Sequence, residues 1–233
     1  MTPASAFATT TVAGAERVTA FLRKVYGWMA VGLGTTAVVA YAVASSPALL
    51  QTIFGNRMVF FGLVIAELGL VFYLSARVNR MAPATAAGLF LLYSALNGAT
   101  IAGILLLFTG ASVATTFVVT AGMFGALALY GSTTRRSLAG VGQFVFMGLI
   151  GVVLASLVGM FWHSDALQFA ISVVGVIVFT GLTAWDAQRL KQMAVATPEG
   201  QTGSFAVVGA LALYLDFINL FLFLLRFLGS RRN

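Results

Sequence analysis

Long apolar runs recur from one end of this chain to the other, and only short polar or turn-forming segments interrupt them. A run of about 20 apolar residues is long enough to cross the hydrocarbon of a bilayer as a helix. The alternating ten-residue segments typical of membrane barrels are absent from the sequence. The runs therefore predict an all-α membrane protein.

Composition supports the same class, since 60% of the residues are hydrophobic and only 8% are charged. A soluble domain averages about 25% charged residues. Charged and turn residues divide the chain into seven predicted spans, at 25–45, 58–76, 84–108, 113–130, 138–161, 166–186 and 205–227. We expect residues 1–24 to form a flexible cytoplasmic tail, 25–228 the transmembrane domain and 229–233 a short C-terminal tail.

Basic residues concentrate on one side of the predicted bundle. Nine of them precede the first span or lie in alternate loops, namely Arg17, Arg23, Lys24, Arg77, Arg80, Arg135, Arg136, Arg189 and Lys191. The positive-inside rule assigns that side, and with it the N-terminus, to the cytoplasm. Seven spans then place Arg231 and Arg232 outside, against the rule. Six spans with a re-entrant last segment would remove this conflict, so both topologies stay open.

Several classes of function find little support in the residues. The chain has no cysteine and one histidine, His163 in a predicted outer loop, so zinc sites and serine or thiol proteases are not expected. Nucleotide-binding glycine loops and basic runs with interleaved aromatics are missing as well. We therefore predict neither an enzyme nor a nucleic-acid-binding protein, and no tightly bound cofactor.

Three acidic residues lie in or at the ends of predicted spans: Glu67, Asp186 and Asp216. The other three, Glu16, Asp165 and Glu199, fall in the tail or in loops, where water solvates them. An ionisable residue inside a membrane is costly and marks a candidate functional site. Asp216 stands out, because it lies about 16 Å into the last predicted span at 1.5 Å per residue. A purely structural, hydrogen-bonded carboxyl is the alternative.

Asp186 and Asp216 form a predicted pair. Their spans are consecutive and antiparallel, with Asp186 at the cytoplasmic end of its span and Asp216 somewhat deeper. Two neighbouring carboxylates cannot both ionise easily, so they share a proton and titrate as a pair. Such a pair responds to pH and attracts a cation. Asn219 lies one turn beyond Asp216 and is a supporting polar neighbour on the same face.

Arginines supply predicted partners for the buried acids. Arg226 is the best available cation for Glu67, and this pair would join the second and last spans as a structural bridge. Arg77 and Arg80 lie at the inner end of the second span, at about the depth of Asp186. Either arginine is placed to hold the ionised Asp186.

Four segments resemble the Bax inhibitor-1-like (transmembrane Bax inhibitor motif) family, and its bacterial branch most closely. They are VYGWMAVGL (25–33), TTFVVTAGMFGA (115–126), GLTAWDAQRLK (181–191) and LYLDFINLFLFLLR (213–226). The resemblance implies a seven-helix bundle in the bacterial inner membrane with the last helix central. It also implies a pH-sensitive calcium leak governed by two aspartates, matched here by Asp186 and Asp216.

Further roles follow from the resemblance alone. The family's arginine latch on the first aspartate matches Arg77 or Arg80, and its second-span glutamate and last-span arginine match Glu67 and Arg226. Calcium would bind only in transit, at Asp186 and Asp216. Bacterial members are linked to regulation of membrane proteases and animal relatives to suppression of cell death. A non-conducting regulator that binds a membrane protease is therefore the rival function, and a proton-coupled transporter is a third. The sequence does not indicate an oligomeric state.

Overall fold

The computed structural model describes residues 3–162, 164–198 and 201–232, with side chains described from residue 14 onward except at 160. His163 and Glu199, on which predictions were made above, lie outside the described residues. The described part of the chain holds eight α-helices and a 3₁₀ turn at Val78–Arg80. The helices are α1 Pro3–Ala44, α2 Pro47–Phe54, α3 Arg57–Arg77, α4 Pro83–Leu106, α5 Gly110–Thr133, α6 Ala139–Phe161, α7 Asp165–Ala196 and α8 Thr202–Leu228.

Seven of the described helices, all except α2, are long and apolar enough to cross a membrane. This confirms the predicted all-α, seven-span class. The last segment is one uninterrupted helix, α8, of 27 residues or about 40 Å, which is long enough for a full span. The side on which the C-terminus lies stays a prediction. In the most apolar stretch of α8, 72% of the residues are buried by protein, compared with 6% in α3. Protein surrounds the last helix more than any other described span.

The segment predicted as a flexible N-terminal tail is helical instead. α1 begins at Pro3 and runs without a break into the first span. Phe21 and Val25, one turn apart, are buried at 1% and 0% exposure. The Arg17 guanidinium donates a hydrogen bond to the Thr197 carbonyl at 3.3 Å. Charged residues do not stop a helix whose apolar stripe continues, so the polar composition of this segment was misleading.

The short helix α2 was not predicted. The sequence SSP ends the first span, but it also starts a new helix. The Ser46 hydroxyl accepts from the Leu49 N–H at 3.4 Å, and Pro47 occupies the first helical turn. A serine cap followed by proline is a common helix start, since proline lacks the N–H that would have no partner there.

The chain divides into two compact units. Unit 1 comprises Met1–Thr100 and Arg189–Leu211, and unit 2 comprises Ile101–Gln188 and Ala212–Asn233. In unit 1, α1 approaches α4 closely, since a side chain at Gly32 would collide with the Phe90 ring. Unit 2 contains α5, α6 and the parts of α7 and α8 that carry Asp186 and Asp216. Its apolar core is built from α6, α7 and α8 around Val145, Val152, Ile171, Val178, Phe179, Leu182, Leu220, Phe223 and Leu224.

The C-terminal tail is fastened to the connection between α4 and α5 within unit 2. The Thr109 N–H donates to the Ser230 carbonyl at 3.1 Å, and the Arg232 N–H donates to the Leu107 carbonyl at 2.9 Å. The Ser230 N–H donates to the Ser112 hydroxyl at 3.0 Å. The tail and this connection therefore lie at the same end of unit 2.

Candidate functional site

Asp216 lies near the middle of α8, fourteen residues after Thr202 and twelve before Leu228. Its side chain is only 4% exposed. The carboxyl oxygen Oδ2 has no hydrogen-bond partner among the described residues. Most buried polar atoms in folded proteins are paired, so an unpaired oxygen needs an explanation such as a proton, a water or a transient ligand. Asp216 is deeper than predicted, because α8 begins three residues earlier than the predicted span.

Asp186 was predicted to lie at the end of its span, but it lies well inside α7. α7 continues for ten residues beyond Asp186, to Ala196. The continuation AQRLKQMAVA contains neither glycine nor proline, and most of its residues favour helix. The charges that mark the end of the apolar run therefore do not mark the end of the helix. Asp186 is half-buried.

Aromatic contacts set the register between α7 and α8 in unit 2. The Phe169 and Phe227 rings lie 5.6 Å apart, and the Phe179 and Phe223 rings stack at 5.8 Å. A side chain at Gly175 would come within 2.7 Å of the Phe223 ring, so the backbone of α7 passes close to this ring. Residues later in the sequence of α7 contact residues earlier in the sequence of α8. The two helices are therefore antiparallel and tightly packed.

The Phe179–Phe223 contact brings the two aspartates to about the same level. Asp186 follows Phe179 by seven residues and Asp216 precedes Phe223 by seven, and each step is about two turns or 10.5 Å. Seven residues return almost to the same helix face. The predicted offset in depth is therefore reduced, because α7 is longer than its predicted span. Proton sharing by the pair stays a prediction.

Two glycines hold the backbone of α7 immediately before Asp186. A side chain at Gly131 of α5 would collide with the Ala184 carbonyl, and one at Gly142 of α6 would collide with the Trp185 ring. Both glycines belong to unit 2. Because neither position has room for a Cβ, α5 and α6 both approach α7 here, and this fixes the position from which Asp186 projects.

Gln188 anchors α7 immediately after Asp186. Its Oε1 accepts a hydrogen bond from the Leu138 N–H at 2.8 Å, and its Nε2 donates to the Arg136 carbonyl at 2.9 Å. Leu138 is the N-cap of α6, and Gln188 supplies an acceptor for its buried N–H from another helix. Sequence reasoning missed this residue. A polar residue two positions after Asp186 was the only local signal in the sequence.

The supporting polar residue Asn219 satisfies its own helix. Its amide nitrogen donates to the Leu215 carbonyl at 2.8 Å. Asn219 also lines a cavity of about 790 Å³ within unit 2, between α6, α7 and α8. On another side of α8, the Phe217 ring makes edge contacts with Phe117 and Phe124 of α5, at 5.4 and 5.5 Å. Aromatic side chains therefore pack against α8 beside Asp216.

Glu67 of α3 has partners within unit 1. Its carboxylate accepts hydrogen bonds from the Thr100 hydroxyl at 2.9 Å and from the Asn97 amide at 3.2 Å. Both partners lie on α4, and sequence reasoning did not identify either. Polar bonds between helices are a usual means of holding spans together where water is excluded. The predicted pairing of Glu67 with Arg226, a residue of unit 2, stays a prediction.

The two latch candidates follow one another at the end of α3. Arg77 is the last residue of the helix, and Arg80 closes the 3₁₀ turn that follows. Both side chains are exposed. These arginines belong to unit 1 and Asp186 to unit 2, and the latch between them stays a prediction, as does the choice of arginine.

Comparison with known proteins identifies the family of this chain. The sequence profile of the family described as "Inhibitor of apoptosis-promoting Bax1" matches residues 18–233. The chain belongs to this Bax inhibitor-1-like family. It is 52% identical to the "Inner membrane protein YbhL" of Escherichia coli K12 over 215 residues, which are 91% of this chain and 92% of the relative. It is 46% identical to an uncharacterized protein of Borreliella burgdorferi, over 91% of this chain and 93% of the relative. The resemblance inferred from the sequence is confirmed.

Proposed function

We propose that this Bax inhibitor-1-like protein is a pH-sensitive calcium leak of the bacterial inner membrane. The main support is the buried Asp216, whose Oδ2 is unpartnered among the described residues and whose carboxyl lies at the level of Asp186. The membrane location is supported by seven apolar helices and by the likeness to the "Inner membrane protein YbhL" of Escherichia coli. Calcium is the transported ion in this proposal and not a resident cofactor.

Two carboxylates make a weak calcium site, which suits transit. Tight calcium sites need six to eight oxygen ligands. Among the described residues, no group of three or more histidine, aspartate or glutamate side chains is placed to hold a metal. A calcium ion at Asp186 and Asp216 would take its remaining ligands from water and carbonyl groups, and weak binding lets it leave again.

Gating follows from the proton that the pair holds. In the proposed closed state Asp186 is ionised, and an arginine, either Arg77 or Arg80, binds it. Protonation of the pair removes the negative charge that attracts the guanidinium, so the bridge weakens and the leak opens. Calcium flux should therefore rise as pH falls. The same proton reduces the affinity of the pair for calcium, which limits flux at the lowest pH.

Reconstitution into pure liposomes tests the proposal. Calcium entry should depend on pH for the wild-type protein and lose that dependence in Asp186→Asn and Asp216→Asn. Asp165→Asn is a matched control, since Asp165 is an exposed acid at the start of the same α7. Wild-type pH dependence in both variants would refute the role of the pair. No calcium movement by the wild-type protein at any pH would favour the non-conducting regulator.

Orientation is a separate part of the proposal. The distribution of basic residues supports a cytoplasmic N-terminus. The chain has no cysteine, so single introduced cysteines report sidedness without background. We expect a membrane-impermeant thiol reagent, added outside spheroplasts, to label Ser230→Cys and Ser112→Cys but not Thr19→Cys. The reverse pattern would invert the proposed orientation.

A further inference from the structure

The cavity between α6, α7 and α8 in unit 2 has the shape and lining of an amphiphile site. Its volume of about 790 Å³ lies within the usual range of ligand pockets. Its walls are mostly apolar, from Leu149 and Val152 to Phe179 and Phe223. Val153 and Leu157 also line it and are 50% and 51% exposed. The cavity thus opens beside the outward, lipid-facing side of α6.

Arg226 introduces a positive charge at one end of this cavity. It lies in the last turn of α8, two residues before Leu228. Its guanidinium carbon is 6.0 Å from the centre of the Phe223 ring. Asp165 lines an adjoining cavity of about 480 Å³ together with Arg226 and Arg231, yet it does not approach Arg226 closely enough to form an ion pair. Within the described part of unit 2, the guanidinium therefore has an aromatic contact but no anion.

Two neutral polar side chains in the same cavity also lack partners. Ser156 of α6 and Gln168 of α7 line it, and neither side chain forms a hydrogen bond with the described residues of unit 2. Their donors, with the five N–H groups of Arg226, give the cavity one polar end. A guanidinium forms its strongest hydrogen bonds with carboxylate or phosphate oxygens, so these surroundings favour an anionic ligand.

The depth of Arg226 identifies the source of that anion. α8 is about 40 Å long, close to the 40–45 Å of a bilayer with its headgroups. An arginine in the last turn then lies at the level of lipid phosphates. Phe223 and Asn219 line the cavity about one and two turns deeper, where acyl chains lie. The polar end and the apolar walls are in the order in which a phospholipid presents its headgroup and chain.

We propose that this cavity binds a membrane phospholipid. The phosphate accepts hydrogen bonds from the Arg226 guanidinium. Gln168 and Ser156 donate hydrogen bonds to the phosphate or to the glycerol ester oxygens. One acyl chain lies along the apolar wall between α6 and α8. A soluble anion would satisfy the arginine but would leave the apolar walls empty. The opening beside Val153 and Leu157 favours an occupant that enters from the bilayer.

Native mass spectrometry of the full-length protein in detergent, titrated with phosphatidylglycerol, tests this site. Loss of a charge-assisted hydrogen bond should weaken lipid binding at least about tenfold in Arg226→Gln. Arg226→Lys keeps the charge and should lose less. Leu157→Trp fills the opening and should lower lipid occupancy without changing any charge. Arg57→Gln, an exposed arginine at the start of α3, is the matched control and should bind like the wild type.

The outcomes separate the possible occupants. Wild-type lipid affinity in Arg226→Gln, or an equal loss in Arg57→Gln, would overturn the site. Inorganic phosphate that displaces the lipid at a similar concentration would show a soluble-anion site and overturn the assignment to a phospholipid. Melting temperatures of all variants are measured in parallel. If Arg226→Gln does not fold, Arg226→Lys and Leu157→Trp decide the question, since unchanged binding in both contradicts the proposal.

Discussion

Replacing Gln188 by alanine should release the connection between α5 and α6 from α7. The Gln188 amide accepts from the Leu138 N–H at 2.8 Å and donates to the Arg136 carbonyl at 2.9 Å. These two bonds tie the start of α6 to the turn of α7 that follows Asp186. We expect local opening of residues 134–138 to become much more frequent in Gln188→Ala, while the seven spans remain folded.

The two bonds are of unequal value. Leu138 is 6% exposed, so its N–H would lose its partner away from water, at a cost of about 1–3 kcal/mol. Arg136 is exposed, so water can replace the donor to its carbonyl, and that bond contributes about 0.5–1.5 kcal/mol. Together we expect the free energy of local opening to fall by about 1.5–4.5 kcal/mol. This corresponds to a roughly 10- to 2,000-fold larger open population.

Limited trypsin digestion measures this population, because Arg135 and Arg136 lie in the connection. At low protease concentration the cleavage rate follows the open fraction, so it should rise by the same factor. Gln188→Glu keeps the acceptor and loses the donor, and its rate should lie between wild type and alanine. Gln143→Ala on α6 is an exposed control and should match the wild type. Wild-type cleavage of Gln188→Ala, or an equal increase in Gln143→Ala, would refute the reasoning.

Substitutions of Asp216, Gly131 and Glu67 also have definite expected effects. Asp216→Leu removes a buried oxygen without a described partner, so its melting temperature in detergent should be no lower than that of the wild type, while calcium flux is lost; a clear drop would show that the carboxyl is structural. Gly131→Val, whose side chain meets a carbonyl of α7, should lose about 1–3 kcal/mol in denaturant unfolding. Gly125→Val, with open space on the same helix, should not, and equal losses would argue against close packing. The free energy of unfolding should fall by about 1–3 kcal/mol in Glu67→Ala and by less in Glu67→Gln, because glutamine retains an oxygen that accepts from Thr100. Equal stability of the wild type and both variants would contradict the contribution of these bonds.

The class of fold was predictable from the sequence because the relevant signals are local. Hydrophobicity summed over about 20 residues decides whether a segment partitions into the bilayer. All seven predicted spans correspond to described helices. Asp216 was recognisable for the same reason, since a charge within an apolar run is visible without knowledge of its neighbours.

Helix ends were less predictable, because a change in polarity marks the surface of the membrane and not the end of a helix. α7 passes through Arg189 and Lys191 to Ala196, and α1 extends back through the polar N-terminal segment to Pro3. Both extensions matter for the site. The additional length of α7 is the reason that Asp186 lies within the helix and level with Asp216.

The sequence by itself determined that the chain is a seven-span helical membrane protein of the Bax inhibitor-1-like family with a carboxylate deep in its last helix. Only the tertiary structure decided how the helices of unit 2 pack: the register through Phe179 and Phe223, the anchor at Gln188, and the cavity that ends at Arg226. Gln188 bonds to a residue 50 positions away and Phe179 stacks on one 44 positions away. Such contacts depend on how the helices pack, and packing between apolar spans leaves little trace in the local order of residues.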